Sequence, residues 1–262
     1  MSLVFSAIAS HSPLLIPEIG KDNTLQLKKT VTAYDKLATA LVRVQPDTIV
    51  VFSPHGLILP QAFVLNMSPQ FSGKFEEFSD LHNKFELAGD LGLASKIKQG
   101  LEAKVDLQII SESNLDYGSA VPLFLLTKKL PQVKIIPIYN SQGDLQSHYN
   151  FGKLLTRQLE LSQKKIAVIA SADLSHCLSD QAPGGYSPKA KKFDKKVVKA
   201  VTDNQLEELL SLDQELLTEV NEAGVRTIAM LLGVLSTKNQ TAKLLSYEAP
   251  FGVGCLVVNY SF

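Results

Sequence analysis

KIAVIASADLSH, residues 165–176, is the stretch on which the reading of this chain turns. Its apolar half, KIAVIA, has the near-continuous hydrophobic character of a strand buried on both faces. It then breaks at once into Ser171-Ala172-Asp173-Leu174-Ser175-His176. The same sequence grammar recurs along the chain. LVFSAIA (3–9) runs into Ser10-His11-Ser12-Pro13, and TIVVF (48–52) runs into Ser53-Pro54-His55-Gly56. The run 242–247 ends at Glu248-Ala249-Pro250.

Helical spacing fills the intervals. Leu25, Leu27, Val31, Tyr34, Leu37 and Leu41 predict a helix over 22–44. Further helices are expected at 90–103, 119–129, 145–161, 189–202, 206–212 and 215–235, and further strands at 63–67, 107–111 and 133–139. Two extended runs, 242–247 and 253–260, close the chain around a Pro250-Phe251-Gly252 turn and read as a hairpin. Strands alternating with helices predict an α/β fold: one domain over 1–262, with a central mixed, mostly parallel sheet flanked by helices on both faces.

Composition narrows the function classes. The chain has 262 residues, 45% of them hydrophobic, which is ordinary for a folded domain and argues against disorder. Lys+Arg and Asp+Glu are 26 each, so no global positive field exists to hold nucleic acid or an anionic membrane surface. The only cysteines, Cys177 and Cys255, make neither a CxxC pair nor a disulfide framework, which predicts a reducing, cytoplasmic setting. The N-terminal run lacks the basic flank of a signal peptide, since the first lysine is Lys21. No apolar run reaches the ~18 residues of a membrane span. A small-molecule partner is therefore expected, and a homo-oligomer is compatible with the composition.

In open α/β sheets ligands sit in the crevice beyond the carboxyl ends of the strands. Three of the five histidines and Glu248 stand there. Two histidines and a carboxylate form the facial set that holds non-haem Fe(II), and the same residue types hold catalytic Zn(II). His11, His55 and Glu248 are the expected ligands. His176 remains as a group suited to proton transfer near neutrality, with Asp173 available to orient it. The plainer alternative is that a strand-end histidine only bonds a backbone carbonyl. His82 and His148 are read as surface residues, with His82 able to line the mouth of a pocket. Cys177 beside His176 is not a catalytic pair, because adjacent side chains diverge on extended backbone. Gly252-Val253-Gly254 precedes a strand rather than a helix and lacks the third glycine, so it is no dinucleotide loop. A serine-hydrolase reading of Ser12, Ser53 or Ser171 rests on nothing beyond proximity in sequence.

Several segments together are similar to the class III extradiol ring-cleavage dioxygenases, the protocatechuate 4,5-dioxygenase β-subunit superfamily that also includes Memo-like proteins. They are His11-Ser12-Pro13, Ser53-Pro54-His55-Gly56, Tyr117-Gly118-Ser119-Ala120-Val121-Pro122-Leu123, Ser171 to His176, Glu222-Ala223-Gly224-Val225-Arg226, and Tyr247-Glu248-Ala249-Pro250-Phe251-Gly252-Val253-Gly254. The resemblance implies a metal site at His11, His55 and Glu248, with His176 as acid/base. Where such dioxygenases often have Asp-His-Gly, this chain has Asp116-Tyr117-Gly118, and Tyr117 would donate a hydrogen bond in that place. It also implies an Fe(II) enzyme, with Zn(II) still open, that opens a catechol-type aromatic diol with O2. A zinc-dependent hydrolase and a Memo-like metal-binding protein without ring cleavage stand as alternatives. Arg226, the nearest cation in these motifs, is read either as a substrate contact or as an ion-pair partner of Glu222, four residues earlier.

Overall fold

Strands that are apolar on both faces need a helical layer above and below them, and the chain supplies both. The computed structural model describes residues 2–262. Its strands are β1 (Leu3–Ala9), β2 (Thr48–Ser53), β3 (Phe63–Asn66), β4 (Gln70–Phe75), β5 (Asp80–Ala88), β6 (Leu107–Ile110), β7 (Lys134–Tyr139), β8 (Ile166–Ser171), β9 (Thr241–Glu248) and β10 (Cys255–Ser261). The helices are α1 (Pro17–Gly20), α2 (Lys28–Val44), α3 (Leu91–Leu101), α4 (Tyr117–Thr127), α5 (Leu145–Glu160), α6 (Ala190–Thr202), α7 (Leu206–Leu210), α8 (Gln214–Glu219) and α9 (Val225–Leu235).

Eight strands form one sheet in the order β6-β3-β7-β2-β8-β1-β10-β9, and β4 and β5 make a separate antiparallel pair. β7, β2, β8 and β1 run parallel at the centre, while β10 and β9 close one edge antiparallel. The expected mixed, mostly parallel α/β sheet is therefore what forms. Successive side chains alternate between two cores. Val50, Phe52, Ile8 and Val168 pack with α3, α5, α6 and α9 on one face. Ile49, Val51, Ala7, Ala9 and Ile169 pack with α2 and α4 on the other.

Two stretches depart from the sequence reading. The helix expected over 215–235 is interrupted: α8 stops at Glu219, and Asn221 takes a left-handed φ of 47°. The Glu222 carboxylate then accepts the backbone N–H groups of Gly224 and Val225 and so caps the start of α9. The β4–β5 hairpin was not anticipated. Phe71, Gly73 and Phe75 alternate with exposed or half-buried neighbours, a period-2 signal broken by the polar Glu76–Phe78 turn.

Helix α9 packs on α5 with almost no spacing between backbones. A Cβ added at Gly152 would stand 2.0 Å from the Met230 carbonyl oxygen, and one at Gly233 would stand 2.1 Å from that of Tyr149. This contact sets the position of α9, whose Thr227 hydroxyl donates to the Ser171 carbonyl at the end of β8. Gly152→Ala should therefore destabilise the fold by about 1–3 kcal/mol through overpacking. Thermal unfolding should show a Tm lower by several degrees, and an unchanged Tm would mean the two helices are free to separate.

Candidate active site

Parallel pairing brings the polar strand ends to one edge of the sheet. Ala9 lies opposite Ser171, and Phe52 lies opposite Ala170. His11, His55 and Asp173 each follow within a few residues of those pairs. The Nε2 atoms of His11 and His55 are 2.9 Å apart with the rings nearly perpendicular. Two cis ligands at the ~2.0–2.1 Å of a metal–nitrogen bond stand about 3 Å from each other, so the pair has ligand spacing.

The hydrogen bonds around His11 define its tautomer. Ser171 Oγ donates to the carbonyl of Gly118 at 2.5 Å. A serine has one hydroxyl hydrogen, so towards His11 Nδ1, 2.9 Å away, the same oxygen can only accept. Nδ1 therefore carries the hydrogen and Nε2 the lone pair. The contact between the two Nε2 atoms is then donated by His55. Burial, followed by the charge of His176, lowers the pKa of His11 to about 3. Burial, followed by His11, lowers His55 to about 3 as well. Both rings are neutral at working pH, the charge state that binds metals, and His55 would coordinate through Nε2 once its hydrogen moves to Nδ1.

The carboxylate beside this pair belongs to Asp173. Its Oδ2 lies 3.5 Å from His11 Nε2, and its Oδ1 accepts the Ser10 hydroxyl. Burial pushes the Asp173 pKa up, and with a neutral His11 the approach is not an ion pair. Among the described residues no three His, Cys, Asp or Glu side chains stand as a ready metal cage. Two nitrogens are nevertheless at ligand spacing, and one oxygen is a small shift away. That donor set suits Fe(II) or Zn(II).

Glu248, the carboxylate expected in this role, ends β9 at the same edge of the sheet: it pairs with Cys255, which in turn bridges Asp173. Its Oε1 accepts both the backbone N–H and the hydroxyl of Thr30, each at 2.7 Å. It shares no hydrogen bond or ion pair with either histidine among the described residues.

His176 lies close enough for its charge to act on His11, His55 and Asp173. Its Nδ1 is 3.1 Å from the Leu174 carbonyl, which can only accept, so Nδ1 donates and Nε2 is the basic nitrogen. A backbone group, rather than Asp173, thus orients it. Tyr117 stacks on His55 with centroids 4.2 Å apart, and Phe78 from the β4–β5 turn meets Tyr117 edge-on at 5.4 Å. Burial, and then the charge of Asp173, raises the Tyr117 phenol, which stays a donor. A cleft of about 620 Å³ opens beside His55, walled by Ile58, Asn140, Gln214, Asn221 and Arg226.

Arg226 is an ion-pair partner: Nη1 meets Glu222 at 3.2 Å, and Nε donates to the Gly143 carbonyl. His82 is exposed, as expected. His148 is not: it is fully buried, with Nδ1 on the Asp144 carbonyl and Nε2 accepting from Ser141 N. Cys177 is a buried thiol. Sequence reasoning weighs Ser53 and Ser171 only as nucleophiles, whereas their hydroxyls serve as hydrogen-bond partners of the site. Ser171 and Ser53 each end a buried strand, and a hydroxyl in that place was the available signal.

Asp194 of α6 supports the loop between Asp173 and His176. It accepts Ser175 N at 3.0 Å and the Tyr247 hydroxyl at 2.6 Å. Burial is the main reason its pKa rises to about 6 from 3.8. The folded state therefore holds this proton more tightly than the unfolded chain does, and stability falls as pH climbs from about 4 to about 6. The loss is about 3 kcal/mol for this group at the usual conversion. Asp194→Asn should remove that decline from a pH series of denaturant melts, and a parallel decline in the variant would assign it to another group.

The sequence profile described as "Catalytic LigB subunit of aromatic ring-opening dioxygenase" matches residues 6–258. Protein CA_C1420 of Clostridium acetobutylicum is 31% identical over 265 residues, which cover 97% of this chain and 56% of that protein. The 2,3-dihydroxyphenylpropionate/2,3-dihydroxicinnamic acid 1,2-dioxygenase of Cupriavidus necator is 26% identical over 141 residues, 50% of this chain and 44% of that enzyme. The chain thus spans about half the length of these relatives. The crystal structure of the uncharacterized protein JW3007 from Escherichia coli K12 shares the fold, with a TM-score of 0.69 over 98% of this chain and 99% of that one, at 18% identity. With its profile matched from β1 into β10, this chain belongs to the family of the catalytic LigB subunit of aromatic ring-opening dioxygenases.

Proposed function

We propose that residues 1–262 act as one catalytic unit that opens a catechol-type aromatic ring with O2, using iron(II) in the cytoplasm. The observation that carries this reading is the meeting of two neutral imidazole nitrogens, 2.9 Å apart, with the Asp173 carboxylate beside them. His11 and His55 would hold the ion together with a carboxylate: Glu248, which ends β9 and which the resemblance implies, or Asp173, whose Oδ2 lies 3.5 Å from His11 Nε2. When bound, such an ion supplies one coordination sphere in which both reactants are held and polarised.

The rest falls to the side chains. His176, with Nδ1 committed to Leu174, presents a basic Nε2 that takes a proton from a substrate hydroxyl and later returns it. Tyr117 donates its phenolic hydrogen and, with Phe78, gives the ring an aromatic wall. His11 and Asp173 are almost fully buried at the strand ends, which limits water beside them.

A second reading is favoured by one residue, Tyr117 in a place where these dioxygenases often carry histidine. On it the same donors hold zinc, in a hydrolase or in a Memo-like binding protein.

Anaerobic reconstitution with Fe(II) or Zn(II), followed by O2 uptake on a panel of catechols, separates these readings. Uptake with a yellow ring-opened product is expected with iron alone; metal binding without uptake would sink the dioxygenase reading. Metal analysis after dialysis of Glu248→Gln and Asp173→Asn identifies the third ligand as the carboxylate whose loss releases the metal, and retention of metal by both variants would remove the two-histidine, one-carboxylate site. His176→Ala should keep metal and lose turnover by ~10²–10⁴-fold, as for a positioned acid/base. Loss of metal from that variant would make His176 a ligand instead.

A further inference from the structure

We infer that Ser171 is a positioning residue that sets the tautomer of His11, presenting the Nε2 lone pair to the site; this rests on the metal-site reading proposed above. The argument is one of hydrogen count. The Ser171 hydroxyl is fully buried and has two neighbours, the Gly118 carbonyl at 2.5 Å and His11 Nδ1 at 2.9 Å. A carbonyl has no hydrogen to give, so the hydroxyl hydrogen is committed to Gly118 and the lone pair to His11. His11 is left with one arrangement in which its Nδ1 does not set a lone pair against the Ser171 lone pair: hydrogen on Nδ1, lone pair on Nε2.

The position of Ser171 is itself fixed from three sides. Its backbone pairs with Ala9, two residues before His11, and its carbonyl accepts the Thr227 hydroxyl at 2.7 Å. Gly118, its acceptor, lies against His55: a Cβ there would be 3.0 Å from His55 Cδ2. Ser53 does a parallel service at the end of β2, where its hydroxyl donates to Asp116 and accepts the backbone N–H of His55 at 3.3 Å. Two strand-ending serines thus tie both histidines to the first turn of α4, but only Ser171 touches an imidazole nitrogen. Ligand histidines commonly have their second nitrogen fixed by an outer partner, and removal of that partner lowers metal affinity about 10–100-fold.

The test reads the tautomer of the metal-free protein directly, by two-bond ¹⁵N–¹H correlation of the histidine rings. The parent should show His11 with hydrogen on Nδ1. Ser171→Ala should shift its population towards hydrogen on Nε2, Ser171→Thr should restore the parent pattern, and Ser53→Ala should leave it unchanged. Equilibrium dialysis against Fe(II) should show a 10–100-fold weaker dissociation constant for Ser171→Ala. A parent with hydrogen on Nε2, or an unaltered tautomer in Ser171→Ala, would overturn the assignment. Failure of the metal-site reading is visible separately, as a parent with the expected tautomer that binds neither Fe(II) nor Zn(II).

Discussion

In-register parallel pairing of β1, β8 and β2 is the constraint from which the rest follows. It puts Ala9 level with Ser171 and Phe52 level with Ala170, so three separate loops leave the sheet at one height. Because the strand period is two, a slip of one residue would turn His11 and Ser171 to the opposite face. The apolar alternation that feeds both cores prevents that slip. Packing of the core and placement of the site are therefore one problem, solved by the same side chains.

Burial then sets the chemistry. Inside the protein, water no longer stabilises the imidazolium form, and both site histidines are held neutral. The same loss of solvent raises Asp173 and Tyr117. His11 and His55 as neutral rings and Tyr117 as a protonated phenol leave the site rich in hydrogen-bond donors and acceptors. Its polar atoms are held by neighbours whose capacity is already committed: Ser10 on Asp173, Ser171 on His11, and Leu174 on His176. Geometry is thereby decided before any ligand arrives.

The scaffold behind these atoms is as close-fitting as the site. Gly152 and Gly233 let α5 and α9 meet backbone to backbone, and α9 in turn anchors the end of β8 through Thr227. Asp194 does the same for the loop carrying His176, reaching both Ser175 and Tyr247. That carboxyl is buried at a cost in stability, which places α6 and β9 in the support of the site rather than in the core alone.

The strands ending in His11, His55 and Asp173 were legible in the sequence, because a buried parallel strand is an unbroken apolar run and its end is marked by the first polar residues. The closing hairpin and most helices were legible for the same reason of period. Less was visible where contacts are long-range. Glu248 stands at its strand end as expected, but nothing local in the sequence shows that its Oε1 meets Thr30, 218 residues away. His148 sits on a helix like any surface residue but is buried against Phe63, which itself stacks on Phe151. The β4–β5 hairpin alternates only weakly. The sequence by itself determined the α/β layering and which loops would meet, since both depend on local hydrophobic period. Tertiary structure alone decided that the Asp173 carboxylate lies 3.5 Å from His11 Nε2 and that the Ser171 hydroxyl meets His11 Nδ1, since both depend on partners that only folding brings together.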